Sequence, residues 1–297
     1  MDRLESMKIL VAAVDAGSLS GASRALGAPL ATVSRKVSEL EAALRAQVLV
    51  RTSRRLALTE AGAAYVAACR RIIDDIDEAE RAVAGEFRAP RGDLAITAPV
   101  VFGRLHVEPV VLAFLKEYPE INVRLTLADS LLNLVDEHVD LAVRIGALPD
   151  SSLVGIRLGA IRRVVCASPA YLARRGTPQT PEDLAAHDCV LFEGLGAMGA
   201  WTFGASVAPM RPRFSVNTAE AAIDAVIAGT GITRILSYQV AAALRAGALT
   251  RVLRDFEPAP VPVTLLYAEQ AMLPQKLRAF LDFAAPLLKA ALGAQES

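Results

Sequence analysis

Two short apolar runs near the start of the chain repeat with helical spacing. Leu19, Ala22, Ser23 and Leu26 fall at i, i+3, i+4 and i+7, and Val33, Val37, Leu40 and Leu44 at i, i+4, i+7 and i+11, with Gly27-Ala28-Pro29 between them. The spacing predicts two helices, each burying one face. An earlier helix is predicted from Leu4, Met7, Leu10, Val11 and Val14, closed by Gly17, with Ser18 placed to cap its successor. Small residues at Gly21, Ala22 and Ala25 let two helices cross closely, and Pro29 is expected to open the next helix at its first turn, where its missing N–H has no intrahelical role. The open face of that helix carries Thr32, Ser34, Arg35 and Lys36, hydroxyls and cations suited to phosphates and base edges in a major groove.

From residue 59 the rhythm changes. Thr59 is placed to cap a long helix running to about residue 88, in which Tyr65, Cys69, Ile72, Ile76, Ala79 and Val83 repeat in alternating steps of 4 and 3. That is the rhythm of a coiled-coil seam. Charges of both signs flank it, from Arg70 and Arg71 through Asp74, Asp75, Asp77, Glu78 and Glu80 to Arg81. A homodimer is therefore expected, with those six apolar positions as its interface. Pro90-Arg91-Gly92 then breaks the helix.

Beyond Asp93 short strands alternate with helices. Leu94 to Thr97 reads as a strand, Val100 to Tyr118 as a helix ended by Pro119, and Ile121, Val123, Leu125 and Leu127 as an alternating strand. Further strands are expected at Leu141 to Ile145, Val164 to Ala167, Cys189 to Phe192, Phe214 to Val216 and Val263 to Tyr267. Helices are expected from Thr218 to Ala228 and from Pro274 onward. These are too many elements for one simple sheet, so two α/β subdomains with a ligand cleft between them are the economical arrangement.

Charge sharpens this picture. The chain carries 32 basic and 32 acidic residues, so it is no general polyanion binder. From Arg24 to Leu58, however, Arg24, Arg35, Lys36, Arg45, Arg51, Arg54 and Arg55 face only Glu39 and Glu41. A local basic footprint of this kind suits the DNA backbone. Cys69, Cys166 and Cys189 stand singly, and His106, His138 and His187 form no ligand spacing, so no metal or cofactor is expected; lone cysteines in apolar surroundings read as packing residues, with a redox-sensing thiol as the alternative. No apolar run is long enough to span a membrane and no leader precedes Met1-Asp2-Arg3, which implies a cytoplasmic protein.

Residues 1 to 88 resemble the N-terminal half of a LysR-type transcriptional regulator. The resemblance rests on Gly-Ser-Leu-Ser-x-Ala-x-x-x-Leu at 17–26, Val-Ser-Arg-x-Val-x-x-Leu-Glu at 33–41, and Arg51 followed by Leu58-Thr59-Glu60-Ala61-Gly62. Two departures stand out. Pro29-Leu30-Ala31 replaces the family's frequent Ser-Gln-Pro, and Arg45 occupies a frequent Gly position. Leu30 cannot make a Gln-like bidentate contact to adenine, so base readout there leans on apolar contact with thymine methyls or on other side chains. The resemblance implies a winged helix-turn-helix over 1–58 that reads double-stranded operator DNA through Ser18, Pro29, Leu30, Ala31, Thr32, Ser34, Arg35, Lys36, Arg51, Arg54 and Arg55. It further implies a dimerising linker helix and hinge over 59–90.

The remaining chain, 91–297, resembles the family's effector-binding domain, a relative of type 2 periplasmic binding proteins. The implied subdomains are 91–161 with 268–297, and 162–267. The implied cleft is lined by Thr97, Pro99, Val100, Asp129, Ser130, Ile145, Gly146, Thr202, Phe203, Asn217 and Thr218. Hydroxyls, an amide and free helix N-termini at such places suit a small polar or anionic effector, although helix capping is a competing use for each. The implied partners are operator DNA, the effector, further copies of the chain in a homodimer or homotetramer, and RNA polymerase where the regulator activates.

One motif points elsewhere. Gly194-Leu195-Gly196-Ala197-Met198-Gly199 follows a strand, has Glu220 downstream, and would make the chain an NAD(P)-dependent oxidoreductase if it opened a helix. Trp201 to Ser206 and Pro209 give no helical apolar face, and the motif lies far from a first strand–helix unit. No GxSxG, HExxH or other nucleophile and base spacing appears, so a regulator rather than an enzyme is expected.

Overall fold

The computed structural model describes residues 2–51, 56–84, 89–129, 139–147, 153–193, 201–204, 206–269 and 273–293, with the side chains of 51, 75, 78, 79 and 81–84 outside the description. It divides into two units, Met1–Ala89 and Pro90–Ser297.

The first unit begins with α1 (Arg3–Asp15), α2 (Leu19–Leu26) and α3 (Leu30–Leu44), continues into β1 (Leu49–Arg51) and β2 (Leu56–Leu58), and ends with α4 (Glu60–Ala84). Its caps follow from the sequence. Asp2 accepts from the Glu5 N–H at 3.1 Å and Ser18 from the Gly21 N–H at 3.0 Å, each satisfying an otherwise orphaned helix N–H. Gly27 ends α2 at φ +61°, a left-handed conformation that glycine adopts without strain. Pro29 departs from expectation: it is the N-cap of α3, at ψ 136°, and Leu30 is the first helical residue. Its fixed φ serves the corner between the helices rather than the first turn. Ile9, Leu10, Ala13, Ala22, Val33, Val37, Leu40, Val48, Leu49 and Val66 form the unit's core.

The second unit holds two five-stranded sheets. The first has the order β4-β3-β5-β14-β6 and is built from β3 (Gly92–Ala98), β4 (Ile121–Leu127), β5 (Leu141–Ile145), β6 (Leu153–Ile161) and β14 (Val261–Ala268). The second has the order β11-β8-β12-β7-β13, from β7 (Arg163–Ala167), β8 (Asp188–Phe192), β11 (Arg211–Val216), β12 (Ile232–Leu236) and β13 (Thr250–Val252), with a β9 (Trp201–Phe203) and β10 (Ser206–Ala208) hairpin beside it. Because β14 pairs antiparallel with β5 and β6, the strand at 261–268 belongs to the first sheet. The boundary expected at 267 therefore falls before Val261.

The helices are α5 (Val100–Phe102), a π-helical turn at Gly103–Val107, α6 (Glu108–Glu117), α7 (Pro169–Arg175), α8 (Ala219–Ile227), α9 (Ser237–Arg245) and α10 (Gln275–Gly293). The edge strand β4 alternates buried and exposed positions as a strand with one solvated face should, whereas all five residues of the central β12 are buried. One apolar core joins α6, α10 and the first sheet through contacts such as the edge-on packing of Phe114 and Phe280, at 5.0 Å between ring centroids. A second, around Val165, Tyr171, Leu184, Trp201, Phe203 and Ile232, lies under α7 and the β9–β10 hairpin.

Candidate nucleic-acid interface and ligand cleft

On α3 the apolar stripe Val33, Val37 and Leu40 is fully buried, which turns Leu30, Ala31 and Arg35 outward and leaves Thr32 and Ser34 half-buried. Arg35 lies on the surface in an ion pair with Glu39, one turn on, at 2.6 Å. Lys36 differs from expectation. Its side chain is only 13% exposed and its Nζ meets the Glu5 carboxylate of α1 at 2.5 Å, so it is turned inward rather than onto the open face. The reason is angular: Lys36 stands three residues after Val33 and four before Leu40, at the margin of the buried stripe.

The wing is fixed by Glu41 and Thr59. Glu41 accepts from the Val48 and Leu49 N–H groups, both at 2.9 Å, and so ties α3 to β1. Its charge, which sequence alone counts against the basic footprint, is engaged with backbone amides. Thr59 donates through Oγ1 to the Gln47 carbonyl at 2.7 Å and caps α4 by accepting from the Gly62 N–H at 2.9 Å. β1 and β2 pair antiparallel with Arg51 opposite Leu56. Arg54 and Arg55, expected at the wing tip, lie outside the described residues, as does the Arg51 side chain.

The structure divides the expected seam on α4. Cys69 is fully buried within the unit and Tyr65 packs against the helix-turn-helix core, whereas Ile72 is 42% exposed and Ile76 half-buried. Helix α1 accounts for the difference, since Lys8 reaches Asp77 at 3.4 Å and Arg70 pairs with Asp15. The side chains of Ala79 and Val83 lie outside the description.

In the second unit, Thr97 is fully buried near the end of β3, and among the described residues its hydroxyl has no hydrogen-bond partner. Pro99 is the N-cap of α5, and the Val100 N–H donates to Asp129 at 3.0 Å, which makes Asp129 a helix cap. Ile145 ends β5, while the Gly146 N–H donates to the Pro262 carbonyl at 2.9 Å, so it is not free for a ligand. Asn217 is exposed, and Thr218 caps α8 by accepting from the Ala221 N–H at 3.4 Å. Ser130 lies outside the described residues.

Two contacts join the halves near these positions. Arg104 meets Glu220 of α8 at 3.5 Å, and Phe102 packs edge-on against Tyr238 of α9 at 5.4 Å. They set α5 and the π-helical turn after it beside the first turns of α8 and α9. Burial pushes the Tyr238 hydroxyl well above its ordinary range and lowers the nearby His106 imidazole.

Thr202 and Phe203 lie on β9 beside Arg234. Phe203 is 6% exposed and belongs to the second core, and the Thr202 carbonyl accepts from Arg234 at 3.0 Å. Sequence reasoning passed over Arg234. The only signal was one arginine inside the otherwise uncharged strand Ile232–Leu236.

The competing motifs find no support in this geometry. Residues 194–199 lie outside the described residues, and the next element is the strand β9 where a dinucleotide fingerprint needs a helix. Cys69, Cys166 and Cys189 are all buried and free; burial pushes the Cys166 thiol up to about 12 and Cys189 to about 11. Neither is a nucleophilic thiolate near neutral pH. Among the described residues no single helix is long and apolar enough to cross a membrane.

Known proteins share both units. Residues 4–63 match the family described as bacterial regulatory helix-turn-helix protein, lysR family, and residues 87–289 match the LysR substrate binding domain. The chain is 36% identical over 288 residues to an HTH-type transcriptional regulator of Xanthomonas campestris, covering 94% of this chain and 84% of that protein. It is 34% identical to an HTH-type transcriptional repressor of Pseudomonas aeruginosa, covering 95% and 91%. The solved structure of CrgA, a LysR-type transcriptional regulator from Neisseria meningitidis, is 32% identical, covers 97% of this chain and 98% of its own, and superposes with a TM-score of 0.61.

Proposed function

The chain belongs to the LysR family of transcriptional regulators, with a DNA-binding helix-turn-helix and an effector-binding domain, and from that premise we propose which residues do the work. Helix α3 enters the major groove of a dyad operator with Leu30, Ala31, Thr32, Ser34 and Arg35 toward base edges, while Ser18, Pro29, Arg51, Arg54 and Arg55 meet the backbone. The observation that carries this reading is the division of α3 into a fully buried stripe and an outward face on which Leu30, Ala31 and Arg35 are exposed. Arg35 exchanges its partner Glu39 for DNA; an exposed ion pair of this kind costs little to break. Lys36 supports the module through Glu5.

Two copies pair along α4, which matches the two-fold symmetry of a dyad operator. A small polar molecule enters the second unit beside Thr97 and Asn217. An effector that binds one arrangement of the two halves better than another shifts the disposition of the bound oligomer on DNA, and it does so only by that difference in affinity. The protein acts by binding rather than by catalysis, works in the cytoplasm, and contacts RNA polymerase where it activates.

The test is binding to the DNA flanking the gene that encodes this chain. A dyad footprint is expected, with affinity for that site well above random DNA. Arg35→Ala should lose about 1–3 kcal/mol on the operator and less on random sequence. Equal affinity of the parent protein for both DNAs would refute the assignment of α3 as the reader.

A further inference from the structure

Trp201, the chain's one tryptophan, lies against a buried arginine. Arg234 is 8% exposed in β12, with its guanidinium carbon 5.7 Å from the Trp201 ring centroid and 5.9 Å from that of Phe203. Its Nη1 donates to the Thr202 carbonyl at 3.0 Å. Its Nε is buried and, among the described residues, has no hydrogen-bond partner; the same holds for the Nε of Arg163.

The strand register relates the two arginines. Arg234 pairs with Val165 across β12 and β7, and Arg163 lies two residues before Val165 on the same strand, so both belong to one face of the sheet. That face carries the second core, in which Trp201, Phe203 and Val165 pack. None of the ion pairs among the described residues includes Arg163 or Arg234. Burial, and secondarily the like charge of Arg163, pulls the Arg234 guanidinium down to about 10, which still leaves it charged near neutral pH.

Two cations with unsatisfied donors in apolar surroundings constitute an unfavourable arrangement for an empty protein and a favourable one for an anion. We propose that Arg234 and Arg163 form a carboxylate-binding site, in which the free Nε edges of the two guanidinium groups receive the carboxylate of a small organic acid. The inference rests on the effector-binding reading above and names the chemical class of effector.

Geometry selects the class. With Nη1 engaged by Thr202, the Nε of Arg234 has no hydrogen-bond partner among the described residues, and the edge it forms with Nη2 offers two parallel donors that match a planar carboxylate. The rings of Trp201 and Phe203 make an apolar wall suited to an organic acid's hydrocarbon portion more than to a strongly hydrated inorganic ion. Location gives the site a role. Arg163 opens β7 two residues after Ile161 ends β6 in the other sheet, so a ligand held there sits at a crossover between the two halves.

The lone tryptophan supplies the assay. The full-length protein is titrated with sodium acetate, butyrate, succinate and phenylacetate, and in parallel with acetamide, butyramide and phenylacetamide, at ionic strength held constant with sodium chloride. Trp201 emission is followed with excitation at its red edge. A saturable change with at least one carboxylate and none with its amide is expected. Arg163→Gln, a half-buried position, and Arg234→Lys should each raise the apparent Kd at least tenfold, the loss expected for one charge-assisted contact.

No saturable response to any of the four carboxylates overturns the proposal, as does an unchanged Kd in Arg163→Gln. An uncharged metabolite that binds with the same affinity in both variants and alters operator binding also overturns the carboxylate site, while leaving effector-dependent regulation intact. A carboxylate that binds through both arginines yet never alters operator affinity establishes the site and counts instead against the proposed switching function.

Discussion

Gly62 lies so close to Val48 that a Cβ on it would stand 2.1 Å from the Val48 carbonyl oxygen. The first turn of α4 is thereby seated directly on the residue that leads into β1, and the oxygen in question is also the acceptor for the Thr59 N–H at 3.0 Å. Any side chain at 62 must push the wing away from the helix or break that hydrogen bond. Gly62→Ala is expected to destabilise the first unit by about 1–3 kcal/mol, in the range of overpacked sites. Urea denaturation with separate signals for the two units would check it; an unchanged midpoint for the first unit would show that the wing moves aside without cost.

Arg45 presents the opposite case, a side chain where glycine suits the backbone. It closes α3 at φ 53°, ψ 32°, left-handed for a residue with a Cβ. That conformation costs about 1–2 kcal/mol, whereas its exposed positive charge at a helix C-terminus returns only about 0.3–1 kcal/mol. Strain is the larger effect, so Arg45→Gly should stabilise the first unit by about 1 kcal/mol. Arg45→Ala keeps the strain and loses the charge, and should destabilise by a few tenths of a kcal/mol. Chemical denaturation of both variants decides by sign, and a Gly variant less stable than the Ala variant contradicts the argument.

These two residues show how far the sequence could be read. The pattern at 58–62 identifies a helix start, but the demand for glycine at 62 comes from Val48, fourteen residues upstream and just before β1, and emerges only when both are in place. Alternation at Ile121, Val123, Leu125 and Leu127 was sufficient for β4 because an edge strand with one wet face announces its period. The seam on α4 was harder. A stripe with heptad spacing fits a partner helix and the chain's own core equally, and α1 takes Tyr65 and Cys69 into the latter.

The cleft was least legible, since a polar side chain at a strand end reads the same whether it caps a helix or awaits a ligand. Asp129 and Thr218 are caps, and the Gly146 N–H is already bonded. Strand β14 joins the first sheet after all five strands of the second have intervened, and no local pattern reports such pairing.

Thr97 is the one expected cleft residue whose buried polar atom lacks a partner among the described residues. An unsatisfied buried hydroxyl costs about 1–3 kcal/mol relative to a satisfied one, and Thr97→Val removes it while keeping the shape. The empty protein should therefore be as stable as the parent or more so, by up to about 1 kcal/mol. A ligand that uses the hydroxyl should lose its thermal stabilisation in the variant. Thermal melts with and without that ligand provide both measurements, and a destabilised empty variant would mean that the hydroxyl is already satisfied.

The exposed face of α4 allows the dimer to be tested without disturbing the fold. Ile72 is 42% exposed in the single chain, whereas Cys69, less than one turn earlier, is fully buried against its own unit. A carboxylate at 72 meets water in the monomer but would be buried against a neighbour in a coiled-coil pair, where an unpaired charge is costly. Ile72→Glu should thus leave the circular dichroism spectrum and the melting of both units nearly unchanged while converting dimers to monomers in sedimentation. Operator affinity should fall with it, because each half-site then binds alone and the linkage between them is lost. Cys69→Glu serves as the contrast: it should unfold the first unit whatever the oligomeric state. If Ile72→Glu sediments as the parent does and retains the same footprint, the pairing surface does not include this part of α4.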